Sequence, residues 1–252
     1  MKRLLLLIAI STYSLLIYGQ ELSVIQSVEK QFIKQYEQLV AADILTATDS
    51  LAPAFRNQLA GFLKNPATFE YSFEELSKYL KITSAPDASF RIFGYDEFTG
   101  GHWHEMINIA QIKLPDGRVI TEFINTSNDL SLGDYNDVII YQIHPWGKDA
   151  DGNQLFLFVG WGSHGPKQKF ETAEVYMFNG VHLEPLTNIF YTGKEYRNEL
   201  ATPAPRSAEI DLQVDIDSKT VRMNQFRESE TGWMQSREPV TYSWNGRTFD
   251  LQ

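Results

Sequence analysis

The chain contains no cysteine. That absence excludes a disulfide scaffold, thiolate zinc sites, iron–sulfur clusters and a cysteine nucleophile, and it removes the residue that a bacterial lipoprotein needs for lipidation. Positive charge is scarce as well: 22 Lys and Arg stand against 32 Asp and Glu, a formal charge of −10. A surface of that sign repels phosphate backbones and anionic lipid, so neither nucleic acid nor a membrane surface is an expected partner. Long apolar runs are also missing beyond residue 20, and nothing downstream approaches the length of about 20 residues that spans a bilayer.

What is present begins with an address. Lys2 and Arg3 precede an apolar stretch from Leu4 to Tyr18, with Ile17 and Gly19 at the small-residue positions before Gln20, the pattern of a cleaved secretory signal peptide. Ser11, Thr12, Tyr13 and Ser14 interrupt the run, which favours cleavage over a retained anchor. Removing Lys2 and Arg3 takes the formal charge from −10 to −12. The expected destination is the periplasm or the extracellular space, with no membrane attachment after cleavage. Division of the chain then follows as 1–19 leader, 20–80 helical and 81–252 β.

Between residues 20 and 80 the apolar period is helical. Ile25, Val28, Phe32, Tyr36 and Leu39 recur at steps of three and four and share one helix face. Leu51, Phe55, Leu59 and Phe62 repeat the stripe, with Pro53 near the start and Asn65-Pro66 at the stop. Ser72 and Glu75 form an S-x-x-E capping box, which predicts a third short helix ending near Tyr79 or Leu80.

From Lys81 the period becomes two. Pro86-Asp87, Pro115-Asp116-Gly117, Asp151-Gly152, Asn179-Gly180 and Asn245-Gly246 punctuate apolar runs, and the Asn-Gly and Asp-Gly pairs tolerate the positive φ of tight hairpins. Glu209 to Asp217 alternates strictly, as a half-buried strand does. Leu155 to Val159 is apolar throughout, as a strand covered on both faces must be. About ten strands are expected in all. Arg197 to Ala208, with Pro203 and Pro205, reads as a loop or linker. The predicted fold class is α+β: N-terminal helices packed on a mainly antiparallel β meander, arranged as a sandwich, an open barrel or a propeller-like sheet.

Each motif with catalytic or metal-binding spacing fails in its second half, and the first of them is a histidine pair. His102 and His104, in Gly100-Gly101-His102-Trp103-His104-Glu105, project to one side of a strand and can share a Zn²⁺ or Fe²⁺, with His144, His164 or a carboxylate as third ligand. No H-E-x-x-H accompanies them. Gly160-Trp161-Gly162-Ser163-His164-Gly165 matches G-x-G-x-x-G, but Pro166 and a predicted hairpin follow where a dinucleotide site needs a helix. Trp161 stands where a nucleophile elbow needs glycine. Asp149-Ala150-Asp151-Gly152-Asn153 has its glycine at the fourth position where a calcium loop needs it at the sixth, and no glutamate at the twelfth, and Ser27-x-x-Lys30 sits in a helix without companion motifs. Trp103, Trp146, Trp161 and Trp233 fall near predicted turns, where indoles either form a platform for a sugar or peptide or close the ends of a sandwich.

Ser84, Asp87, the strand Phe90-Arg91-Ile92-Phe93, Tyr95-Asp96, Thr99-Gly100-Gly101 and His104 make the segment Phe69 to Gln111 resemble a set of exported proteins of Gram-negative bacteria. Tyr242 to Phe249 resembles their C-termini. No activity, cofactor or catalytic residue comes with the resemblance, and His102 stands where those proteins have a small residue. It directs attention to Arg91, Asp96 and His104, either as a buried brace with an Arg–Asp pair or as part of a ligand pocket. The reading best supported is an exported, non-catalytic binding module for a glycan, peptide or partner protein, without a cofactor, using Arg91, Asp96, Trp103, His104, Trp146, Trp161 and His164. Its rivals are a metal-dependent hydrolase centred on His102, His104 and His164, and a structural cell-envelope protein.

Overall fold

A computed structural model describes residues 2–98, 105–124, 137–165, 167–229, 232–236 and 238–252. Helix α1 (Lys2–Ala41) buries Ile25, Phe32, Tyr36 and Leu39, the stripe predicted from the periodicity. A short turn of helix, α2 (Ile44–Thr46), is capped by Asp43, whose Oδ1 accepts the Thr46 N–H at 3.0 Å. It runs through a π-helical stretch at Ala47–Leu51 into α3 (Ala52–Phe62), which carries Pro53 in its first turn. Asn65 then caps α4 (Pro66–Phe69) instead of only ending its predecessor. The capping box at Ser72 does not form. Phe73 takes a positive φ of 52°, a 3₁₀ turn occupies Leu76–Lys78, and Glu75 pairs with Lys78 at 2.6 Å.

The rest is β structure, and the fold is α+β. A four-stranded antiparallel sheet follows the order β1 (Lys81–Ser84), β2 (Phe90–Asp96), β3 (Met106–Lys113), β4 (Val119–Ile124). A second sheet contains β5 (Ile139–Lys148), β6 (Gln154–His164), β7 (Gln168–Phe178) and β11 (Glu199–Pro205), in the order β11-β7-β6-β5, with β8 (Leu183–Pro185) paired to β7. The third is built from β9 (Phe190–Tyr191), β10 (Tyr196–Arg197), β12 (Leu212–Asp215), β13 (Thr220–Met223), β16 (Val240–Trp244) and β17 (Phe249–Leu251), ordered β10-β9-β17-β16-β13-β12. Its β17–β9 pair is parallel. A separate hairpin joins β14 (Phe226–Ser229) to β15 (Gly232–Gln235). None of these sheets closes into a barrel among the described residues.

Three apolar interfaces stack these layers. Phe93, Tyr95, Ile107 and Ile109 of the first sheet meet Phe32, Tyr36, Phe55 and Leu59 of the helices, with the Phe55 and Tyr95 rings edge to face at 5.1 Å. The opposite face of that sheet, with Phe90, Ile92, Ala110 and Ile112, packs on Phe156, Phe158, Tyr176 and Phe178 of the second. Leu155, Leu157, Ala173 and Val175 then pack on Phe190, Val221, Met223, Tyr242 and Phe249 of the third. Alternate residues of β2, β3, β6 and β7 thus feed two different cores, the unbroken apolarity expected of Leu155 to Val159.

All five predicted turn pairs join consecutive strands. Three other expectations are corrected. The stretch 197–208 contains β11, an edge strand whose Pro203 and Pro205 need no ladder donor on the open side. The alternation at Glu209 to Asp217 yields only Leu212–Asp215, because Asn224 takes up the backbone N–H of Asp211 at 2.9 Å and residues 216–219 turn. Among the described residues seventeen strands occur where about ten were expected, several of them two or three residues long.

Close approach of the layers shows at β6. A Cβ at Gly162 would lie 2.3 Å from the Asp137 carbonyl oxygen and 2.3 Å from Phe170 Cζ, whereas one at Gly61 in α3 meets nothing within 4 Å. Gly162→Ala is therefore expected to destabilise the protein by about 3 kcal/mol. Gly61→Ala should stabilise it by ~0.5 kcal/mol. Urea unfolding of the two variants beside the parent chain checks both signs.

Candidate functional site

His102, Trp103 and His104 lie outside the described residues, as does the side chain of His164. The described histidines are separate: His144 Nε2 lies 3.1 Å from Gln142 Oε1, and His182 Nδ1 lies 2.9 Å from Glu122 Oε2. Burial holds the His144 ring below the usual imidazole range. Among the described residues, no group of three or more His, Asp and Glu is placed to hold a metal ion.

Arg91 and Asp96 do not pair. They are five positions apart on β2, so their side chains leave opposite faces of the strand. Arg91, 7% exposed, points at the helices. Its Nε donates to Gln111 Oε1 at 2.7 Å, Nη1 to the Tyr71 carbonyl at 2.7 Å, and Nη2 to the Thr68 carbonyl. The Phe73 and Phe93 rings flank the guanidinium at 5.1 and 5.0 Å. Gln111 Nε2 donates in turn to the Leu63 carbonyl and to Thr68 Oγ1 at 2.8 Å. These strand side chains add donors to buried carbonyls at the ends of α3 and α4. Burial lowers the Arg91 pKa to about 10. From the other side Glu29 of α1 accepts the Leu76 N–H at 2.9 Å and the Tyr71 hydroxyl at 2.5 Å.

Asp96 is also structural in its visible contacts. Its Oδ1 accepts the Phe98 N–H at 2.8 Å, and its carbonyl accepts the Tyr36 hydroxyl at 3.0 Å. Next to it, Glu97 is fully buried and holds Arg56 in a two-pronged contact of 2.9 and 2.6 Å. Burial pushes the Glu97 carboxyl up, against the pull of Arg56.

Of the tryptophans, Trp146 is 1% exposed, at the far end of β5, stacked on Phe249 at 5.3 Å with Lys219 Nζ 4.8 Å from its ring. It fills the space between the second and third sheets and is not a surface platform. Trp161 is different: it stands on β6 with 41% of its surface open to solvent. Gly160 and Gly162 flank it, and a Cβ at Gly160 would meet Val138 Cγ2 at 2.7 Å. The first two glycines of the G-x-G-x-x-G run are thus set by packing behind the strand. β6 continues through the run into a turn at Gly165 and on to β7, with no helix to receive a pyrophosphate.

The same face carries Ile139 on one side of Trp161 and Glu171 on the other, each directly across a ladder. A bulge in β5 between Ile140 and Gln142 presents Tyr141 beside Glu171, and burial of the ring together with the Glu171 charge raises the phenol. Burial raises the Glu171 carboxyl, with Tyr141 and Lys169 pulling the other way and Asp211 adding to the rise. Two residues along the same face, Arg206 Nη2 donates to Ser163 Oγ at 2.7 Å and steadies the turn after β6. An open indole beside a phenol–carboxylate pair can stack on the apolar side of a sugar ring and bond its hydroxyls. Neither Tyr141 nor Glu171 was singled out from sequence. No signal in the residue spacing marked them: β7 also carries Gln168, Lys169, Thr172 and Glu174.

A second concavity, a groove of about 920 Å³, runs between α1 and residues 66–75 and is lined by Glu21, Glu29, Glu70, Glu74, Glu75 and Lys30 among others. Glu29 and Glu70 there are already engaged, Glu70 with Lys113 at 2.7 Å. No family model, no curated protein and no solved structure matches the chain.

Tyrosines set the alkaline limit of this arrangement. Burial pushes Tyr71 up to about 12 and raises Tyr36, Tyr95, Tyr141 and Tyr176 too. An unfolded tyrosine ionises near pH 10. The stability these hydroxyls contribute is therefore complete below pH 10 and is lost as the pH rises through the folded values. Arg91, with its lowered pKa, acts in the opposite sense but is one group against five. Stability should fall above pH 10, with phenolate absorbance from these tyrosines appearing only as the chain unfolds. A spectrophotometric titration run beside circular dichroism checks the coincidence.

Proposed function

We propose that the chain is an exported binding module whose Trp161 face takes a glycan, with the indole stacked on a sugar ring and the Tyr141–Glu171 pair bonding its hydroxyls. The observation that carries this reading is the exposure of Trp161 on a rigid, glycine-flanked strand, in contrast to the enclosure of Trp146. Export rests on the residue pattern at 1–19, and the acidic surface, which repels phosphate polymers, suits an uncharged or cationic sugar.

Glycan-array screening followed by titration calorimetry tests it. Trp161→Ala is expected to weaken binding about tenfold or more, equivalent to ~1.4 kcal/mol, with the far-ultraviolet spectrum unchanged. Glu171→Gln should weaken it by a smaller factor. An array with no hit, or unchanged affinity in Trp161→Ala, overturns the reading. Stoichiometric Zn or Fe in the purified protein, lost in a His102→Ala/His104→Ala variant, would transfer the assignment to a metal-dependent hydrolase. Intact mass of protein recovered after export should correspond to a chain starting at Gln20, and retention of Met1 would refute cleavage.

A further inference from the structure

Two Asn-Gly hairpins in this chain share one backbone design and differ in one respect. At the β7–β8 turn, the Asn179 N–H donates to the His182 carbonyl at 3.3 Å, and Asn179 Oδ1 accepts the N–H groups of Val181 and His182 at 3.0 and 2.8 Å. At the β16–β17 turn, the Asn245 N–H donates to the Thr248 carbonyl at 2.9 Å, and Asn245 Oδ1 accepts Arg247 and Thr248 N–H at 2.9 Å each. Gly180 and Gly246 both have positive φ, 91° and 100°, and both asparagines are exposed. The difference is at Nδ2. In Asn245 it donates to Thr248 Oγ1 at 2.8 Å and to Asp250 Oδ2 at 2.7 Å. Asn179 Nδ2 makes no such bond among the described residues.

We propose that Asn179 is a site of spontaneous deamidation and isoaspartate formation in the folded protein, and that Asn245 is protected by its Nδ2 anchors. The Gly180 amide nitrogen loses its proton to hydroxide and attacks Asn179 Cγ, forming a C–N bond. The Cγ–Nδ2 bond then breaks, and Nδ2 takes up protons from water and leaves as ammonia. Water opens the resulting succinimide at either carbonyl, giving aspartate or isoaspartate. The balance is one amide and one water in, one carboxylic acid and one ammonia out, with no change of oxidation state. Attack requires Cγ to rotate toward the glycine nitrogen. That rotation breaks the Oδ1 bonds in both turns but must also break two charge-assisted or neutral Nδ2 bonds at Asn245 alone.

The modification falls where two sheets are tied. Glu122 of β4 accepts the Leu183 N–H at 2.7 Å and contacts His182, both within four residues of Asn179. An isoaspartate lengthens the main chain by one carbon in that turn and shifts the Val181 and His182 N–H groups.

Incubation of the native full chain at mildly alkaline pH, followed by digestion and mass spectrometry with isoaspartate-resolving chromatography, tests the proposal. Asn179 should convert at least about tenfold faster than Asn245. In denaturant the two should convert at about equal rates. A Thr248→Val/Asp250→Ala variant should accelerate Asn245 and leave Asn179 unchanged. Should that variant not fold, the native-to-denatured comparison of the parent chain decides alone. Equal native rates, or faster conversion at Asn245, overturn the proposal.

Discussion

The structure depends on strands that are buried on both faces. β2 and β3 serve the helix-facing core with Phe93, Tyr95, Ile107 and Ile109 and the sheet-facing core with Phe90, Ile92, Ala110 and Ile112. β6 and β7 of the second sheet do the same, one face toward the first sheet and the other toward the third. In a strand with one wet face, a slip of one residue exposes the apolar set, and polarity alone enforces register. Here polarity cannot do so. Size does: β6 turns Phe156 and Phe158 toward one core and Leu155 and Leu157 toward the other, so a slip would overfill one interface and empty the other. The glycines at 160 and 162 act alike, since any other residue there meets Val138 or Phe170.

Covering a sheet with helices creates a second demand, because helix ends carry carbonyls that burial strips of water. β2 and β3 meet it with Arg91 and Gln111, which donate to the carbonyls of Leu63, Thr68 and Tyr71. Arginine suits the task because its planar fork reaches two carbonyls and a side-chain oxygen at once, and its flat faces pack between Phe73 and Phe93. A charged residue in the middle of an apolar strand thus has a structural cause.

Much of the fold was legible because the signals were local. The α1 stripe, the five turn pairs and the doubly apolar β6 each follow from residues close in sequence. The failures are tertiary. Ser72 and Glu75 are spaced to cap a helix, but Glu29 from α1 takes the Leu76 N–H first, and Phe73 adopts positive φ. Pro203 and Pro205 read as a linker because proline lacks an N–H, yet an edge strand has a side on which that donor is not needed. Trp146 and Trp161 look alike in sequence, both near glycines and turns. Their fates diverge because the third sheet covers one end of β5 and β6 and not the other. Tyr141 reaches Glu171 through a bulge, which leaves no mark in residue spacing.

That asymmetry of cover also bears on function. The third sheet packs on Leu155 and Leu157; farther along the same face Val159 is still buried, then Trp161 is exposed with half-buried Glu171 across the ladder. The face proposed to bind is stiff, because its side chains rise from paired strands whose reverse side is filled by Val138 and Phe170. Stiffness reduces the entropy lost on binding, so an indole fixed in this way contributes more than one on a loose loop. A sheet stack that ends short of its longest strands therefore leaves an aromatic side chain open without a dedicated loop, and in the glycan reading proposed above the polar pair beside it gives the contact its direction.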